Sequence, residues 1–288
     1  KTARAVLALD GVTKTFPGVK ALDGVRLELH AGEVTALIGE NGAGKSTVVK
    51  ILTGIYQPDG GTILLDGTPV HFAAARDAAD AGVTAIHQET VLFDELSVAE
   101  NIFLGHAPRG RFGLIDRRAM LEQAHAILDG IGARIDPAVR LKDLSIASRH
   151  LVAIARALSI DARVVIMDEP TAALSRTEIE ELYILIEQLK AQGKAILFIS
   201  HKFDEIFRIA DRWTVFRDGQ FVSEGRMADV TESQLVQMMV GLLKPDSGEL
   251  FFHGERLSYP IRGQARRKIQ ILFQHPEVSF NPQLTLRQ

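Results

Sequence analysis

The feature of this sequence that most constrains its fold is the stretch from Gly39 to Ser46, which reads Gly-Glu-Asn-Gly-Ala-Gly-Lys-Ser. It matches the pattern G-x-x-x-x-G-K-S/T and stands between a short apolar run and a segment of helical periodicity, the context that gives the pattern its meaning. Glycines permit positive φ angles, so successive backbone N–H groups can point inward at an anion. The stretch therefore predicts a strand, a phosphate-binding loop and a helix whose positive dipole end faces the phosphates.

Two side chains of this loop have a chemical reason to be there. Lys45 brings a point charge suited to β- and γ-phosphates, and the Ser46 hydroxyl is suited to ligating Mg²⁺. The alternative is a glycine-rich turn with a solvated lysine, and the flanking strand and helix argue against it. The residues predicted to contact the phosphates are Gly39, Glu40, Asn41, Gly42, Ala43, Gly44, Lys45, Ser46 and Thr47.

Short apolar runs alternate with helix-length segments along most of the chain. The runs that predict buried strands are residues 34–38, 83–86, 164–167, 195–199 and 213–216. This alternation indicates a mostly parallel sheet covered on both faces, and the half-buried pattern of residues 25–29 predicts an antiparallel side sheet. Asp116 is expected to cap a helix running to about Gly130, and Thr177 to cap another, with Glu180 at the capping-box position.

The composition excludes several classes of protein. The 288 residues are 46% hydrophobic and 24% charged, near the average for globular domains. A net charge of −3 argues against a nucleic-acid binder that works through bulk positive charge. Without cysteine the chain has neither disulfides nor thiolate zinc sites, which suits a reducing compartment. The longest apolar runs are far shorter than the roughly 20 residues that a membrane-spanning helix needs.

Two adjacent carboxylates, Asp168 and Glu169, follow the buried run at residues 164–167. Acids at the end of a buried strand are costly unless something uses them, and ligands of open α/β sheets bind at the carboxyl ends of strands. Asp168 is expected to hold Mg²⁺ from its outer coordination sphere, and Glu169 to polarise an attacking water. The alternative is a pair of solvated loop acids that cap the next helix.

Polar or aromatic residues at other strand ends are further candidates. Gln88 could ligate Mg²⁺ or water through its carbonyl oxygen, and His201 could donate to a γ-phosphate, although a lone histidine is more often structural. Phe16 could stack on adenine or lie in the core, and the pattern alone does not decide between these. Ser145 precedes a helical run, where a serine is usually only a cap.

Together these pieces resemble the nucleotide-binding subunit of ABC transporters, over about residues 5–241. The resemblance implies an α/β fold, a P-loop NTPase of ABC type with a mostly parallel central sheet, an antiparallel β side sheet and a helical subdomain. It identifies Gln88 as the Q-loop glutamine and Glu169 as the catalytic glutamate that ends the Walker B segment. It also assigns His201 as the switch histidine and Phe16 as the aromatic that stacks on adenine.

The same resemblance places residues 144–148 at the family's signature position. It implies that Ser145 and Ala147 bind the γ-phosphate of ATP held by a second nucleotide-binding domain, in a homodimer or with a paralogue. Ala147 and Ser148 stand where the usual signature has Gly and Gln. Ala adds a methyl group and restricts φ. Since sugar-importer domains often tolerate Ala at this position, the resemblance implies reduced rather than absent activity.

The amino-acid sequence is similar to that of the ribose, galactose and xylose importer ATPases at residues 16–22, 86–89, 97–102 and 170–174. This resemblance implies ATP and Mg²⁺ as cofactors and membrane-spanning permease subunits as partners, with a periplasmic or extracellular sugar-binding protein acting indirectly and no nucleic acid. It implies an ATPase that energises monosaccharide import from the cytoplasmic face of the cell membrane. The alternatives are a soluble ABC protein acting on ribosomes or DNA, and a weakly hydrolysing nucleotide-binding partner.

An internal sequence repeat divides the chain into two parts. Residues 54–67 are repeated in outline by residues 241–254, which predicts a duplicated domain rather than a solenoid. Residues 5–241 are predicted to form the nucleotide-binding domain. Residues 242–288 are predicted to be a fragment of a second one, similar to oligopeptide-importer ATPases, without Walker A, signature or Walker B.

Overall fold

A computed structural model describes residues 4–87, 92–160, 162–172, 174–239, 250–252 and 255–257. Its strands are β1 (Leu7–Phe16), β2 (Val19–Leu29), β3 (Val34–Ile38), β4 (Gly60–Leu65), β5 (Thr68–Val70), β6 (Val83–His87), β7 (Val164–Asp168), β8 (Ala195–Ile199), β9 (Arg212–Arg217), β10 (Gln220–Arg226), β11 (Leu250–Phe252) and β12 (Glu255–Leu257). Its helices are α1 (Lys45–Leu52), α2 (Ala75–Asp80), α3 (Val98–Ile102), α4 (Arg117–Gly130), α5 (Ile146–Leu158), α6 (Arg176–Ala191), α7 (Phe203–Ile209) and α8 (Glu232–Met239).

The central sheet has the strand order β10-β9-β3-β8-β7-β6. Every neighbouring pair from β9 to β6 is parallel, and only β10 runs antiparallel to its neighbour. Alternate residues of β7 enter two different cores: Val164 and Ile166 pack towards α1, while Val165 and Met167 pack towards α6. The mostly parallel sheet covered on both faces is therefore confirmed, and it places the ends of β3, β7 and β8 at one edge.

A second sheet, of order β2-β1-β4-β5, is antiparallel throughout. Val25, Leu27 and Leu29 are buried on one face of β2, while Arg26 and Glu28 are exposed on the other. This alternation is the half-buried pattern that predicts an antiparallel side sheet, and that prediction is confirmed. The sheet shares the core that covers α1, so it brings the end of β1 close to the loop between β3 and α1.

A cluster of three helices, α3, α4 and α5, packs around its own small core. The expected cap of α4 is present: Asp116 Oδ1 accepts a hydrogen bond from the Ala119 N–H at 3.0 Å. Among the described residues, no helix combines the length and the apolar character needed to cross a bilayer.

The prediction that Thr177 caps α6 is wrong, because the helix begins at Arg176 after the N-cap Ser175. The Ser175 N–H donates to Glu178 Oε2 at 2.7 Å, which is one arm of a capping box. Two overlapping stretches fit the same motif, and Glu180 instead forms an ion pair with Arg208 of α7. The N-cap therefore lies two residues before the predicted one.

The assignment of residues 242–288 to a fragment of a second domain stays a prediction. Within that range the described residues form β11 and β12, which pair antiparallel with Leu250 opposite Leu257. The rest lies outside the described residues.

Candidate functional site

The turn between β3 and α1 has the backbone that an anion cradle requires. The φ angles of Gly42 and Gly44 are 86° and 97°, a region that residues with a Cβ rarely adopt. A Cβ at Gly44 would also lie 2.8 Å from the carbonyl oxygen of Ala21. The strand, loop and helix that the sequence predicts are therefore present, and glycine is required where β2 approaches the loop.

The ammonium of Lys45 folds back into this loop. Its Nζ donates to the carbonyl oxygens of Gly39 at 2.6 Å and Glu40 at 3.0 Å. Burial lowers the pKa of Lys45 below its usual value, and the carboxylates of Glu169, Asp168 and Glu40 offset part of that shift. A half-buried ammonium held by neutral carbonyls has a strong electrostatic preference for an anion in the same loop.

A cleft of about 700 Å³ opens beside this lysine. Four separate parts of the chain form its walls: the loop with the start of α1, the end of β7, the corner between β1 and β2, and the turn after β9. The lining residues are Phe16, Val19, Lys20, Ala21, Asn41, Gly42, Gly44, Lys45, Ser46, Thr47, Asp168, Glu169 and Asp218. Residues predicted separately as phosphate, metal, water and adenine contacts thus meet in one cavity.

Glu169 has a strained backbone conformation directly after the carboxyl end of β7 in the central sheet. Its φ angle is 48°, which is uncommon for a residue with a side chain, and such strain persists only where surrounding contacts enforce it. The Glu169 N–H donates to the carbonyl oxygen of Ile199 at 2.9 Å, continuing the ladder between β7 and β8. Its Oε1 lies 3.2 Å from Nδ1 of His201. The backbone therefore aims Glu169 away from the strand and beside the histidine.

Phe16 ends β1 and is half-buried at the cleft wall. Its ring meets the ring of Tyr56 in an edge-to-face arrangement, with centroids 5.3 Å apart and planes at 63°. A ring fixed in this way loses little conformational freedom when a planar base stacks on it. The sequence left core packing and base stacking open, and the structure places Phe16 where it can do both.

The start of α5 lies apart from these residues. Ser145 is its N-cap, and Ser145 Oγ accepts a hydrogen bond from the Ser148 N–H at 3.2 Å. Ser145 is exposed and is not among the residues that line the cleft, and Ile146 beside it is 67% exposed. Ala147 lies in the first turn of this helix. A nucleotide contact by Ser145 or Ala147 thus stays a prediction, and within this chain the cleft does not include Ser145.

Gln88 lies outside the described residues, so its predicted role is not tested. The strand that leads to it, β6, ends with His87 paired opposite Asp168.

The residues present suit a Mg²⁺ ion held mainly by a nucleotide. Within the described ranges, no group of three or more His, Asp or Glu side chains could hold a metal by itself. Ser46 and Asp168 both line the cleft beside the phosphate loop. A hydroxyl that can ligate the ion and a carboxylate that can hold its water from the outer coordination sphere, together with phosphate oxygens, suit Mg²⁺, which usually keeps several waters when a protein binds it.

Sequence reasoning missed one group of residues at the back of the site. Thr171, Ser200 and Glu205 are buried close to Glu169 and His201 in the chain, and the two hydroxyls both donate hydrogen bonds to Glu205. It also assigned no role to Val19, Lys20, Ala21 and Asp218, which line the cleft opposite the loop. Only proximity in the fold identifies these residues, because none belongs to a motif defined by its own spacing.

The comparisons with known proteins agree with this geometry. The family model described as "ABC transporter" matches residues 22–172. The "Ribose import ATP-binding protein RbsA" of Jannaschia sp. (strain CCS1) is 72% identical over 236 residues, which are 82% of this chain and 46% of that protein. The "Putative ribose/galactose/methyl galactoside import ATP-binding protein 2" of Burkholderia cenocepacia (strain HI2424) is 47% identical over 273 residues, which are 92% of this chain and 52% of that protein. The chain thus spans about half the length of the curated relatives it matches.

Solved structures agree on the fold. The ADP conformation of MJ1267, an ATP-binding cassette of an ABC transporter, superposes with a TM-score of 0.71 at 27% identity. The superposition covers 82% of this chain and 99% of that one.

Proposed function

The chain belongs to the ABC transporter family, and from this premise we propose that it binds and hydrolyses ATP to energise import of a monosaccharide. The observation that carries the proposal is the single cleft in which the phosphate loop, Asp168, Glu169 and Phe16 meet. The names of the similar proteins, which are sugar import ATP-binding proteins, support the coupling to sugar import.

The residues of the cleft have different roles in ATP binding and hydrolysis. The loop amides and Lys45 hold the β- and γ-phosphates, and Phe16 packs against the base. Ser46 would ligate Mg²⁺ and Asp168 would hold it from the outer coordination sphere, and the bound ion would supply positive charge to the phosphate oxygens. Glu169 accepts a hydrogen bond from the attacking water and orients it towards the γ-phosphate.

His201 supports this chemistry from the side. Its ring already lies within hydrogen-bonding distance of Glu169, so it holds the carboxylate in place while its other nitrogen faces away from that contact. Gln88, placed by the resemblance at the Q-loop, would add a carbonyl oxygen for Mg²⁺ or water. The reaction therefore needs side chains from the ends of three neighbouring strands, β6, β7 and β8.

The names of the similar proteins support the proposed partners. Permease subunits in the membrane would carry the sugar, as the coupling of an import ATP-binding protein to transport requires. A periplasmic or extracellular binding protein would deliver the sugar to them, and the ATPase would work at the cytoplasmic face of the membrane. A second nucleotide-binding domain, from another copy or a paralogue, would place its own Ser145 and Ala147 equivalents on the γ-phosphate, because Ser145 here is exposed away from the cleft.

One observation favours a second candidate, a nucleotide-binding partner that hydrolyses slowly. Ser145 and Ser148 hydrogen-bond to each other at the start of α5, with their Oγ atoms 3.0 Å apart. The Ser145 hydroxyl, which donates to Ser148 Oγ, is then not available to donate to a phosphate oxygen. The two candidates differ in turnover rather than in nucleotide affinity.

A turnover assay on the full chain tests the proposal. Phosphate release from Mg-ATP is measured for the wild type, for Glu169→Gln and for the control Glu181→Gln on the exposed face of α6. Hydrolysis through Glu169 requires a loss of about a hundredfold or more in the first variant alone. Equal rates of phosphate release in all three proteins would mean that the chain binds ATP but does not hydrolyse it through Glu169. Uptake of labelled ribose into vesicles that contain the cognate permease then tests the coupling to sugar.

A further inference from the structure

A buried carboxylate lies behind the cleft and has no part in the reaction proposed above. Glu205, in the first turn of α7, is only 6% exposed. Its two oxygens accept hydrogen bonds from Thr171 Oγ1 at 2.7 and 2.8 Å and from Ser200 Oγ at 2.9 Å. Lys202 Nζ lies 3.0 Å from Oε1. Burying a carboxylate costs desolvation free energy. The hydrogen bonds from these donors offset that cost and stabilise the charge of Glu205 at this position.

The donors come from the two connections that carry the proposed catalytic residues. Thr171 lies two residues after Glu169, in the connection between β7 and α6. Ser200 and Lys202 lie on either side of His201, in the connection between β8 and α7. Glu205 therefore links the connection that follows Glu169 to the connection that contains His201.

The two connections are also linked on the cleft side. Glu169 Oε1 lies 3.2 Å from His201 Nδ1, and the Glu169 N–H donates to the Ile199 carbonyl. Glu169 holds its positive φ at this point, a conformation that needs enforcement from its surroundings. The buried carboxylate supplies such enforcement from behind, since it anchors Thr171 on one side and Ser200 on the other.

An acid in the first turn of a helix usually serves the helix dipole alone. Two observations go beyond that explanation. Glu205 is buried rather than solvated, and the partner with the shortest hydrogen bond, Thr171, is 34 residues away in sequence. A dipole contact requires neither of these features.

We propose that Glu205 is a positioning residue: through Thr171 and Ser200 it fixes Glu169 and His201 relative to one another. The inference rests on the proposed ATPase function for its consequence, and on the described contacts for its geometry. Glu205 itself does not line the cleft, so its removal changes the placement of the catalytic groups and not the binding surface.

Thr171 offers the cleanest test because its hydroxyl can be removed with little change of shape. Thr171→Val deletes the bond to Glu205, and Thr171→Ser keeps it. The matched control is Thr53→Val, since Thr53 is also buried and its hydroxyl binds only carbonyls of its own helix, with the shorter bond to Val49 at 2.8 Å. We expect Thr171→Val to lower the turnover of the full chain by about tenfold to a hundredfold, as misplacement of a catalytic group does. ATP affinity stays unchanged, and Thr171→Ser and Thr53→Val retain the wild-type rate.

A double mutant separates positioning from a general loss of stability. If Thr171 acts through Glu169, then Thr171→Val causes no further loss of turnover in a Glu169→Gln background, because the group to be positioned is already gone. Equal losses in both backgrounds would overturn the proposal. So would a wild-type rate in Thr171→Val when Glu169→Gln alone is slow.

A nuclear magnetic resonance measurement keeps this test independent of hydrolysis. The ¹⁵N shifts of the His201 ring, assigned by comparison with His201→Gln, report its hydrogen bond to Glu169. These shifts should change in Thr171→Val and in Glu205→Gln and stay the same in Thr53→Val. If the full chain shows no hydrolysis that depends on Lys45, the proposed function fails, while unchanged His201 shifts in Thr171→Val would contradict the positioning role itself.

Discussion

Two helix N-termini in this molecule are candidates for contact with a γ-phosphate, and they are built differently. At the start of α1 the N-cap is Gly44, with a φ of 97° and no side-chain cap. At the start of α5 the N-cap is Ser145, whose hydroxyl accepts a hydrogen bond from the helix's own Ser148 N–H. The first helix begins inside a cleft beside a half-buried lysine, and the second begins at an exposed serine next to the exposed Ile146.

This difference indicates which of the two helix N-termini can bind a phosphate within a single chain. A glycine N-cap leaves the first amides of α1 without an internal acceptor, so a phosphate can take all of them. A serine N-cap already satisfies one amide of α5, and Ser145 is exposed and is not among the residues that line the cleft. Binding of a nucleotide should therefore be a property of one chain, whereas hydrolysis should depend on a partner that meets the start of α5.

The largest expected effect concerns the first helix. Lys45→Ala removes the ammonium that the loop carbonyls hold, and we expect ATP affinity to fall by about a hundredfold or more, since the γ- and β-phosphates lose a charge-assisted contact in a partly desolvated site. Isothermal titration of the full chain with Mg-ATP measures this loss. The matched control is Lys50→Ala on the same helix, and micromolar affinity in Lys45→Ala would contradict the binding role of the loop.

The next prediction tests whether the second helix acts across an interface between two copies. Ser145→Arg should leave ATP affinity intact and abolish turnover, while Lys45→Ala abolishes turnover through its own cleft. An equal mixture of the two variants should recover about a quarter of the wild-type rate, because random pairing gives one intact composite site in half of the two-fold dimers. No recovery on mixing would mean that α5 serves a paralogue or the same chain.

A smaller effect is expected at the far wall of the cleft. Phe16→Ala should weaken ATP and GTP by a similar factor of about ten, because stacking on an aromatic ring has little preference among bases. Competition with a fluorescent nucleotide measures both affinities. Tyr56→Leu is a useful companion, since it removes the ring that packs edge-on against Phe16 and should show a weaker version of the same loss. Loss of affinity for ATP alone would assign Phe16 a different role.

The first of these helix starts was predictable from the sequence, and the reason is local. The loop from Gly39 to Ser46 needs its glycines, its lysine and its hydroxyl at fixed spacing, and the buried strand before it is a continuous apolar run. The same holds for Asp168 and Glu169 at the end of β7. The parallel order of the sheet then brings these segments to one edge without any further information.

What sequence reasoning missed depends on contacts between distant segments. Glu205 has the appearance of a solvated acid in a short helix, and only the packing of α7 brings it to Thr171. Thr177 and Ser175 both fit a capping box, and in the structure the serine is the N-cap while Glu180 pairs with Arg208. Local pattern gives the candidates in such cases, and the tertiary structure selects among them.

The last and smallest effect separates the two roles that Ser145 could have. Ser145→Ala and Asp116→Ala each remove an N-cap bond from a helix of the same cluster, at 3.2 and 3.0 Å respectively. Each should therefore cost about 0.5–2 kcal/mol of unfolding free energy, measured by urea titration. If Ser145 only caps α5, the two variants keep the same turnover. If it also touches a nucleotide held by a partner, Ser145→Ala alone loses turnover, by several fold at matched stability. Equal losses of turnover in both variants would show that the helical cluster matters through its stability and not through this hydroxyl, and the contrast between the two helix N-termini would then reduce to a difference in exposure.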